Sequence, residues 1–90
     1  MVERADLKEW LTRELDDLRR IRDELRVQAH LGRAEMRERW EALERSLAEL
    51  DGKAKRASRA AEPALRQLET DVRKLATDLR DGYRAIRDAV

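Results

Sequence analysis

The side chains that could carry out catalysis or bind a metal are few and widely spaced in this chain of 90 residues. It contains one histidine, His30, and no cysteine. A zinc or di-iron centre needs several ligands at short helical spacings, and neither Glu24 nor Glu35 lies three or four residues from His30. The serine and threonine hydroxyls offer no nucleophile–base arrangement, because the chain has a single histidine and no glycine-rich loop. We therefore expect no enzymatic activity, no metal ion and no other cofactor. His30 is expected to flank a helix seam and to form a hydrogen bond with Tyr83 or with an acid.

Basic side chains offer a second kind of chemistry, which is contact with an anion. One row of arginines has a spacing of seven residues: Arg59, Arg66, Arg73, Arg80 and Arg87. Such a row either follows phosphates or flanks an apolar seam, where it pairs with acids of a facing helix. The 20 acidic residues of the chain favour the second interpretation. The segment 53–59 contains no acid and is the best candidate for an anion contact, through Lys53, Lys55, Arg56 and Arg59. An ordinary solvated turn is the interpretation that we favour there.

The elements that must carry these side chains are helices. Apolar or small residues recur every three or four positions from Leu7 to Val90, with a mean step of about 3.6 residues, which is one turn of an α-helix. Charged residues make up 46% of the chain and aromatic residues 3%. This composition suits long helices that each bury one narrow stripe. Disorder is not expected, because a disordered chain does not keep an apolar stripe in phase.

We expect one domain, 1–90, folded as an all-α helical hairpin. The first helix is predicted over about 3–50, because Asp51 and Gly52 combine a capping residue with a glycine that can end a helix. The turn is predicted within 51–62, most simply over 51–58. The second helix then covers about 59–88.

The start of the second helix has three possible positions in the sequence. Ser58 could cap a helix that begins at Arg59, which is the interpretation we favour. A start at Lys53 with a kink is the second possibility. A start at Pro63 is the third, since proline lacks a backbone N–H and suits the first helical position.

Gly32 offers a further possible break, which would give a three-helix bundle able to fold alone. No Ser, Thr, Asp, Asn or Pro follows to start a new helix, so we expect the first helix to continue through it. A glycine inside a helix costs about 1 kcal/mol relative to alanine. Close approach of the second helix near Gly82 and Tyr83 would compensate for this cost.

The unequal lengths of the two predicted helices leave part of the first one uncovered. At 1.5 Å per residue the helices span about 70 and about 45 Å. The N-terminal stripe, which would face water, consists of Leu7, Trp10, Leu11, Leu15, Leu18, Ile21 and Leu25. Full burial of each large apolar group stabilises by about 1.5–3 kcal/mol. We therefore predict that a second copy covers this stripe, giving a homodimer with a four-helix, coiled-coil centre.

The two helices of one chain should meet along a second set of apolar residues. This hairpin seam consists of Met36, Trp40, Leu43, Leu47, Leu65, Leu68, Val72, Leu75, Leu79 and Ile86. In the second helix these residues follow a seven-residue repeat, which is typical of coiled coils.

Charge and hydropathy narrow the classes of partner and location. The net charge of +1 gives no overall attraction to nucleic acid or anionic lipid. Residues 52–90 nevertheless hold 10 basic and 6 acidic side chains. No stretch has the roughly 18 apolar residues of a membrane span, and the start of the chain lacks the apolar run of a signal peptide, so a cytoplasmic location is expected.

The expected function is a non-enzymatic structural or adaptor module that associates with itself, and another helical protein is a possible partner. A nucleic-acid-associated basic helical protein and an amphipathic lipid-surface protein are the alternatives, although we expect neither nucleic acid nor a membrane surface as the partner. Binding to nucleic acid should weaken as salt rises, whereas binding to lipid should increase helicity.

The stretch from Asp23 to Glu44, DELRVQAHLGRAEMRERWEALE, together with Gly82 and Tyr83, resembles a loose group of small bacterial α-helical proteins of the coiled-coil hairpin type. The resemblance covers about residues 15–88. It implies a small soluble helical protein, and it carries over no activity and no site residue.

Overall fold

The structure, a computed structural model, describes residues 4–89, and these residues form three helices. Helix α1 covers Arg4–Leu31, α2 covers Ala34–Arg59 and α3 covers Glu62–Ala89. No strand occurs between residues 4 and 89, so the predicted all-α class is confirmed. Each helix packs against both of the others. Helices of 26–28 residues are about 40 Å long, in keeping with overall dimensions of 44 × 17 × 17 Å.

The prediction of one continuous helix over 3–50 is wrong, because α1 ends at Leu31. The Gly32 N–H donates to the carbonyl of Ala29 at 3.3 Å, a bond that tightens the last turn. Arg33 is extended, with φ −67° and ψ 165°, and has no side-chain capping bond. Its carbonyl accepts the first bond of α2 from the Arg37 N–H at 3.1 Å. The link between the two helices is therefore only two residues long.

Burial of the N-terminal stripe explains why the chain breaks here without a capping side chain. A missing N-cap costs about 1 kcal/mol. Each large apolar side chain that is removed from water contributes about 1.5–3 kcal/mol. A single long helix would leave the whole stripe exposed, whereas a break at Gly32 lets α2 and α3 cover it. The tertiary gain therefore outweighs the local preference for continuing the helix.

The predicted turn over 51–58 is also wrong, because α2 continues through Gly52 to Arg59. Gly52 does not have the positive φ that would end a helix, and the buried residues Leu50 and Ala57 continue the apolar stripe across it. The Ser58 hydroxyl donates to the carbonyl of Lys55 at 2.7 Å, so it does not cap the next helix.

The chain reverses at Ala60 and Ala61, which lie within the broader predicted range of 51–62. Ala60 is extended, with φ −78° and ψ 144°. Helix α3 then begins at Glu62, three residues later than predicted, and Pro63 lies in its first turn. Proline fits there because the N–H groups of a first turn have no acceptor within the helix.

One apolar core runs the length of the bundle. Its α1 members are Leu7, Leu11, Leu15, Leu18, Leu25 and Ala29. Those of α2 are Trp40, Leu47, Leu50 and Ala57, and those of α3 are Leu65, Val72, Ala76, Leu79, Tyr83 and Ile86. No charged side chain among residues 6–89 is buried. The charged side chains of residues 6–89 therefore lie on the outer faces of the three helices.

The predicted approach of Gly82 to Gly32 does not occur. A Cβ atom on Gly82 would instead collide with Cδ2 of Leu43, so this glycine lets α3 lie close to α2. A Cβ atom on Gly32 would lie 2.9 Å from Cγ of Met36, within the first turn of α2. The difference follows from the later turn of the chain, which places Gly82 opposite the middle of α2.

Candidate interaction surfaces

The two predicted interfaces lie in or against the core of a single chain. In the N-terminal stripe, Trp10 and Ile21 are half-buried and the other five residues are buried. In the hairpin seam, Met36, Leu43, Leu68 and Leu75 are half-buried and the other six residues are buried. The expectation that α1 cannot be covered by its own chain is therefore wrong, because two further helices match its length. The homodimer itself stays a prediction and needs another surface.

Two threonine hydroxyls of the chain are engaged within their own helices. The hydroxyl of Thr12 donates to the carbonyl of Lys8, and that of Thr77 to the carbonyl of Arg73, both at 2.9 Å. Within residues 4–89, no group of three or more His, Cys, Asp or Glu side chains is placed to hold a metal ion.

One ring from each helix takes part in an aromatic cluster: His30 of α1, Trp40 of α2 and Tyr83 of α3. The ring of Trp40 lies 5.7 Å from that of Tyr83 and 6.4 Å from the exposed ring of His30, measured between centroids. The Tyr83 hydroxyl is buried, and among the described residues it has no hydrogen-bond partner. It therefore does not bond to His30. Burial, with a smaller effect of the negative charge of Glu44, raises the pKa of Tyr83 to about 12. The phenol stays neutral near pH 7 and acts as a packing group.

The seven-residue arginine row is partly structural. The guanidinium carbon of Arg73 lies 4.6 Å from the ring centroid of Trp10, and its Nε donates to Glu69 at 3.0 Å. Arg80 bridges to two acids on α1, Glu14 and Asp17. Hydrogen bonding to Arg80 lowers the pKa of Asp17 below its usual range, and the same bonds raise the pKa of Arg80. These contacts fit the interpretation that the row flanks the seam.

Ion pairs are unevenly distributed along the bundle. Between residues 4 and 89, none involves a side chain of 24–42 or 81–89, which form the end with the α1–α2 turn. The six arginines of this end are Arg26, Arg33, Arg37, Arg39, Arg84 and Arg87, and the six acids are Glu24, Glu35, Glu38, Glu41, Asp81 and Asp88. The side chains of this end therefore sum to no net charge, and none of them forms an ion pair with another described residue.

The same end carries the most exposed apolar side chains of the described residues. Val27 is 67% exposed and Leu31 82% exposed, and the two share one face of α1 because they lie four residues apart. Leu31 also borders an open cavity of about 680 Å³, which is lined by Gln28, Leu31, Gly32, Arg33, Glu35, Met36, Arg39 and Ala89. We call Val27 and these lining residues the turn-end surface. Val27 and Leu31 were not among the predicted site residues, although both lie off the apolar stripe, which is the pattern that marks an exposed apolar residue.

The opposite end of the bundle gathers basic side chains from all three helices. The Nζ of Lys8 on α1 donates to the carbonyl of Ser58 on α2 at 2.8 Å, so the two helix ends lie side by side. Residues 6–13 and 53–66, which we call the basic end, hold seven basic and three acidic side chains. The basic ones are Lys8, Arg13, Lys53, Lys55, Arg56, Arg59 and Arg66.

The four predicted anion contacts lie on the last two turns of α2 rather than in a loop. Lys53 is 3.9 Å from Asp71, and Lys55 is 3.2 Å from Asp51. Arg56 and Arg59 are exposed, and within residues 4–89 they form no ion pair. The structure thus separates two partly neutralised lysines from two available arginines.

Comparison with protein-family models, with curated proteins and with solved structures found no match for this chain. A search of the described helices for a segment long and apolar enough to cross a membrane also found none.

Proposed function

We propose that this protein is a non-enzymatic self-association module, a three-helix bundle that forms a two-fold dimer through its turn-end surface. The observation that carries the proposal is the exposure of Val27 and Leu31, the second of which lines an open cavity, whereas the other large apolar side chains of residues 6–89 pack in or against the core. Exposed apolar groups rimmed by polar residues are typical of protein interaction sites. The function of such a module is structural: it holds two copies together.

The charges around the turn-end surface favour a second copy over an unrelated partner. A two-fold interface brings the same surface of both chains together, so each charge must find its opposite on an identical surface. The turn end meets this condition because it has six arginines and six acids, none of them in an ion pair within residues 4–89. A strongly acidic or basic partner would leave half of these charges without a counterpart.

The cavity lining offers a geometry for such pairing. Arg33 and Arg39 lie at its wall together with Glu35, next to the apolar groups of Leu31 and Met36. In a two-fold arrangement, the arginines of one chain can face Glu35 of the other while the two Leu31 side chains meet. Because these ion pairs are peripheral, they add orientation more than affinity, and most of the free energy of association comes from apolar burial.

Sedimentation equilibrium or light scattering across a concentration series tests the proposal. The parent chain is expected to pass from monomer to dimer as its concentration rises. The double variant Val27→Asp, Leu31→Asp should weaken the dimer by at least about a hundredfold, because at least about 3 kcal/mol of apolar burial is lost. Both positions are exposed, so the helical content should not change.

The matched control is Ala48→Asp, which adds a negative charge to an exposed position in the middle of α2. It should associate like the parent. A parent chain that stays monomeric at every concentration, or a double variant that associates like the parent, would refute a dimer through the turn-end surface.

A further inference from the structure

We propose that the basic end of the bundle binds the phosphate backbone of double-stranded nucleic acid without reading its sequence. This inference is independent of the proposed dimer, which uses the opposite end of the molecule. The starting observation is the charge distribution, since the chain as a whole has a net charge of only +1. The basic end has a net charge of +4 from its seven basic and three acidic side chains, whereas the other side chains of residues 6–89 sum to −3.

Folding into three helices creates this concentration of charge. Lys8 and Arg13 of α1 are separated from Lys53 and Arg56 by about forty residues or more of sequence. The turn at Ala60 and Ala61 and the bond from Lys8 to Ser58 bring their helix ends together. A helix over 3–50 would have placed Lys8 far from residues 53–59. The first turns of α1 and α3 lie at this end together with the last turn of α2, so two positive helix-dipole ends outnumber one negative end.

Three guanidinium groups at the basic end are available to a ligand. Arg13, Arg56 and Arg59 are exposed, and within residues 4–89 they form no ion pair. Lys53 and Lys55 add positive charge, although each lies near an aspartate. Arginine binds phosphate through two parallel hydrogen bonds, which makes it a preferred phosphate contact.

The basic end is wide enough to face several phosphates of a duplex at once. The bundle is 17 Å across, and double-stranded DNA carries one negative charge per about 1.7 Å of its axis. The end therefore faces a length of duplex that carries about ten charges. Three to four of them can be contacted by the available cations.

Two observations favour a duplex over a membrane or a single strand. The large apolar side chains that the structure exposes among its described residues, Val27 and Leu31, lie at the opposite end, so the basic end has no group to insert into a bilayer. Trp10 is the aromatic residue within the basic end, and Arg73 covers its ring. The basic end therefore lacks a free stacking platform for unpaired bases.

Fluorescence anisotropy with a labelled short DNA duplex tests this inference. The parent chain should bind at low salt with a dissociation constant in the micromolar range, and the logarithm of the binding constant should fall with the logarithm of salt concentration with a slope of about −3. The triple variant Arg13→Gln, Arg56→Gln, Arg59→Gln should bind at least tenfold more weakly and lose most of that slope. These positions are exposed, so its circular dichroism should equal that of the parent.

The matched control is Arg20→Gln, Arg45→Gln, Lys74→Gln, which removes the same charge from exposed positions outside both the basic end and the turn end. It should keep the parent's slope and lose less than threefold in affinity. An equal loss in both triple variants would show that overall charge, rather than this surface, controls binding, and would overturn the proposal. The proposal also fails if the parent does not bind the duplex at low salt, if it prefers the single strand of the same sequence, or if it binds only phosphatidylserine vesicles.

Discussion

Arg80 on α3 donates hydrogen bonds to two carboxylates on α1, from Nη2 to Glu14 at 2.8 Å and from Nη2 to Asp17 at 2.7 Å. The Nε of Arg80 also donates to Glu14, at 3.1 Å. One planar guanidinium thus joins two helices through residues that are more than sixty positions apart in the sequence. The ionised carboxylate of Asp17 is favoured in the folded state, which makes part of the stability dependent on pH.

Replacement of Arg80 should destabilise the folded state more at neutral pH than at acid pH. Because Arg80 lowers the pKa of Asp17, the contribution of this pair is present above the usual aspartate pKa and is lost as pH falls through that value and below it. Arg80→Gln should lower the melting temperature by a few degrees at pH 7 and by less at pH 3. Thermal melts followed by circular dichroism at the two pH values measure this. Arg84→Gln, at an exposed position without an ion pair among the described residues, is the control and should melt like the parent at both.

Removal of the Tyr83 hydroxyl should stabilise the bundle. The group is buried without a hydrogen-bond partner among the described residues, and such a group costs about 1–3 kcal/mol. Tyr83→Phe keeps the packing against Trp40, so we expect an increase of about 1 kcal/mol in the free energy of unfolding in urea. Tyr83→Ala should instead lose about 3–5 kcal/mol. A Tyr83→Phe variant less stable than the parent would show that the hydroxyl has a partner.

The stability of the parent should also decline at alkaline pH. The pKa of Tyr83 is about 12 in the folded state and about 10 in an unfolded chain, so the folded state holds its proton longer. The contribution is therefore fully present below about pH 10 and is lost as pH rises to about 12. Tyr83 is the only tyrosine of the chain, so its ultraviolet absorbance reports the titration directly. Titration near pH 10 in the folded protein would contradict the buried position, and the Tyr83→Phe variant supplies the baseline.

Two glycines should respond in opposite ways to the same substitution. Gly52 lies inside α2 with no atom within 4 Å of the position that a Cβ would occupy, so Gly52→Ala should stabilise by about 1 kcal/mol. Gly82→Ala has the same helical advantage, but its methyl group displaces the side chain of Leu43, and we expect no net gain. Urea unfolding measures both. An equal gain at the two positions would show that α3 does not lie close to α2 at Gly82.

Charge placed in the N-terminal stripe should unfold the bundle rather than dissociate an assembly. Leu11 and Leu18 are 2% and 0% exposed within one chain. Leu11→Asp, Leu18→Asp therefore buries two unpaired carboxylates, at a cost of more than about 4 kcal/mol, and should abolish cooperative melting. Thr12→Asp, at an exposed position between them, is the control and should remain folded. A Leu11→Asp, Leu18→Asp variant that stays fully helical, but smaller in mass, would restore the interpretation of this stripe as an intermolecular interface.

The sequence by itself determined the helical class and most of the core. The helical spacing of apolar residues extends over most of the chain, so one residue that departs from it does not change the prediction. Residues such as Leu18, Leu47 and Leu79 lie in the core, as the spacing predicts. Pro63 likewise marks the region of the second reversal, although the reversal itself lies at Ala60 and Ala61.

Only the tertiary structure decided where the helices end and which surfaces remain outside. Gly32 and Gly52 each shift helix stability by about 1 kcal/mol, which is too little to choose between breaking and continuing. The choice depends on burial, because a break at Gly32 covers the N-terminal stripe and a break at Gly52 would interrupt the stripe between Leu50 and Ala57. The exposed pair Val27 and Leu31, and the joining of Lys8 to the end of α2, follow from that choice. Contacts between distant segments carry the larger energies here, and a local pattern does not contain them.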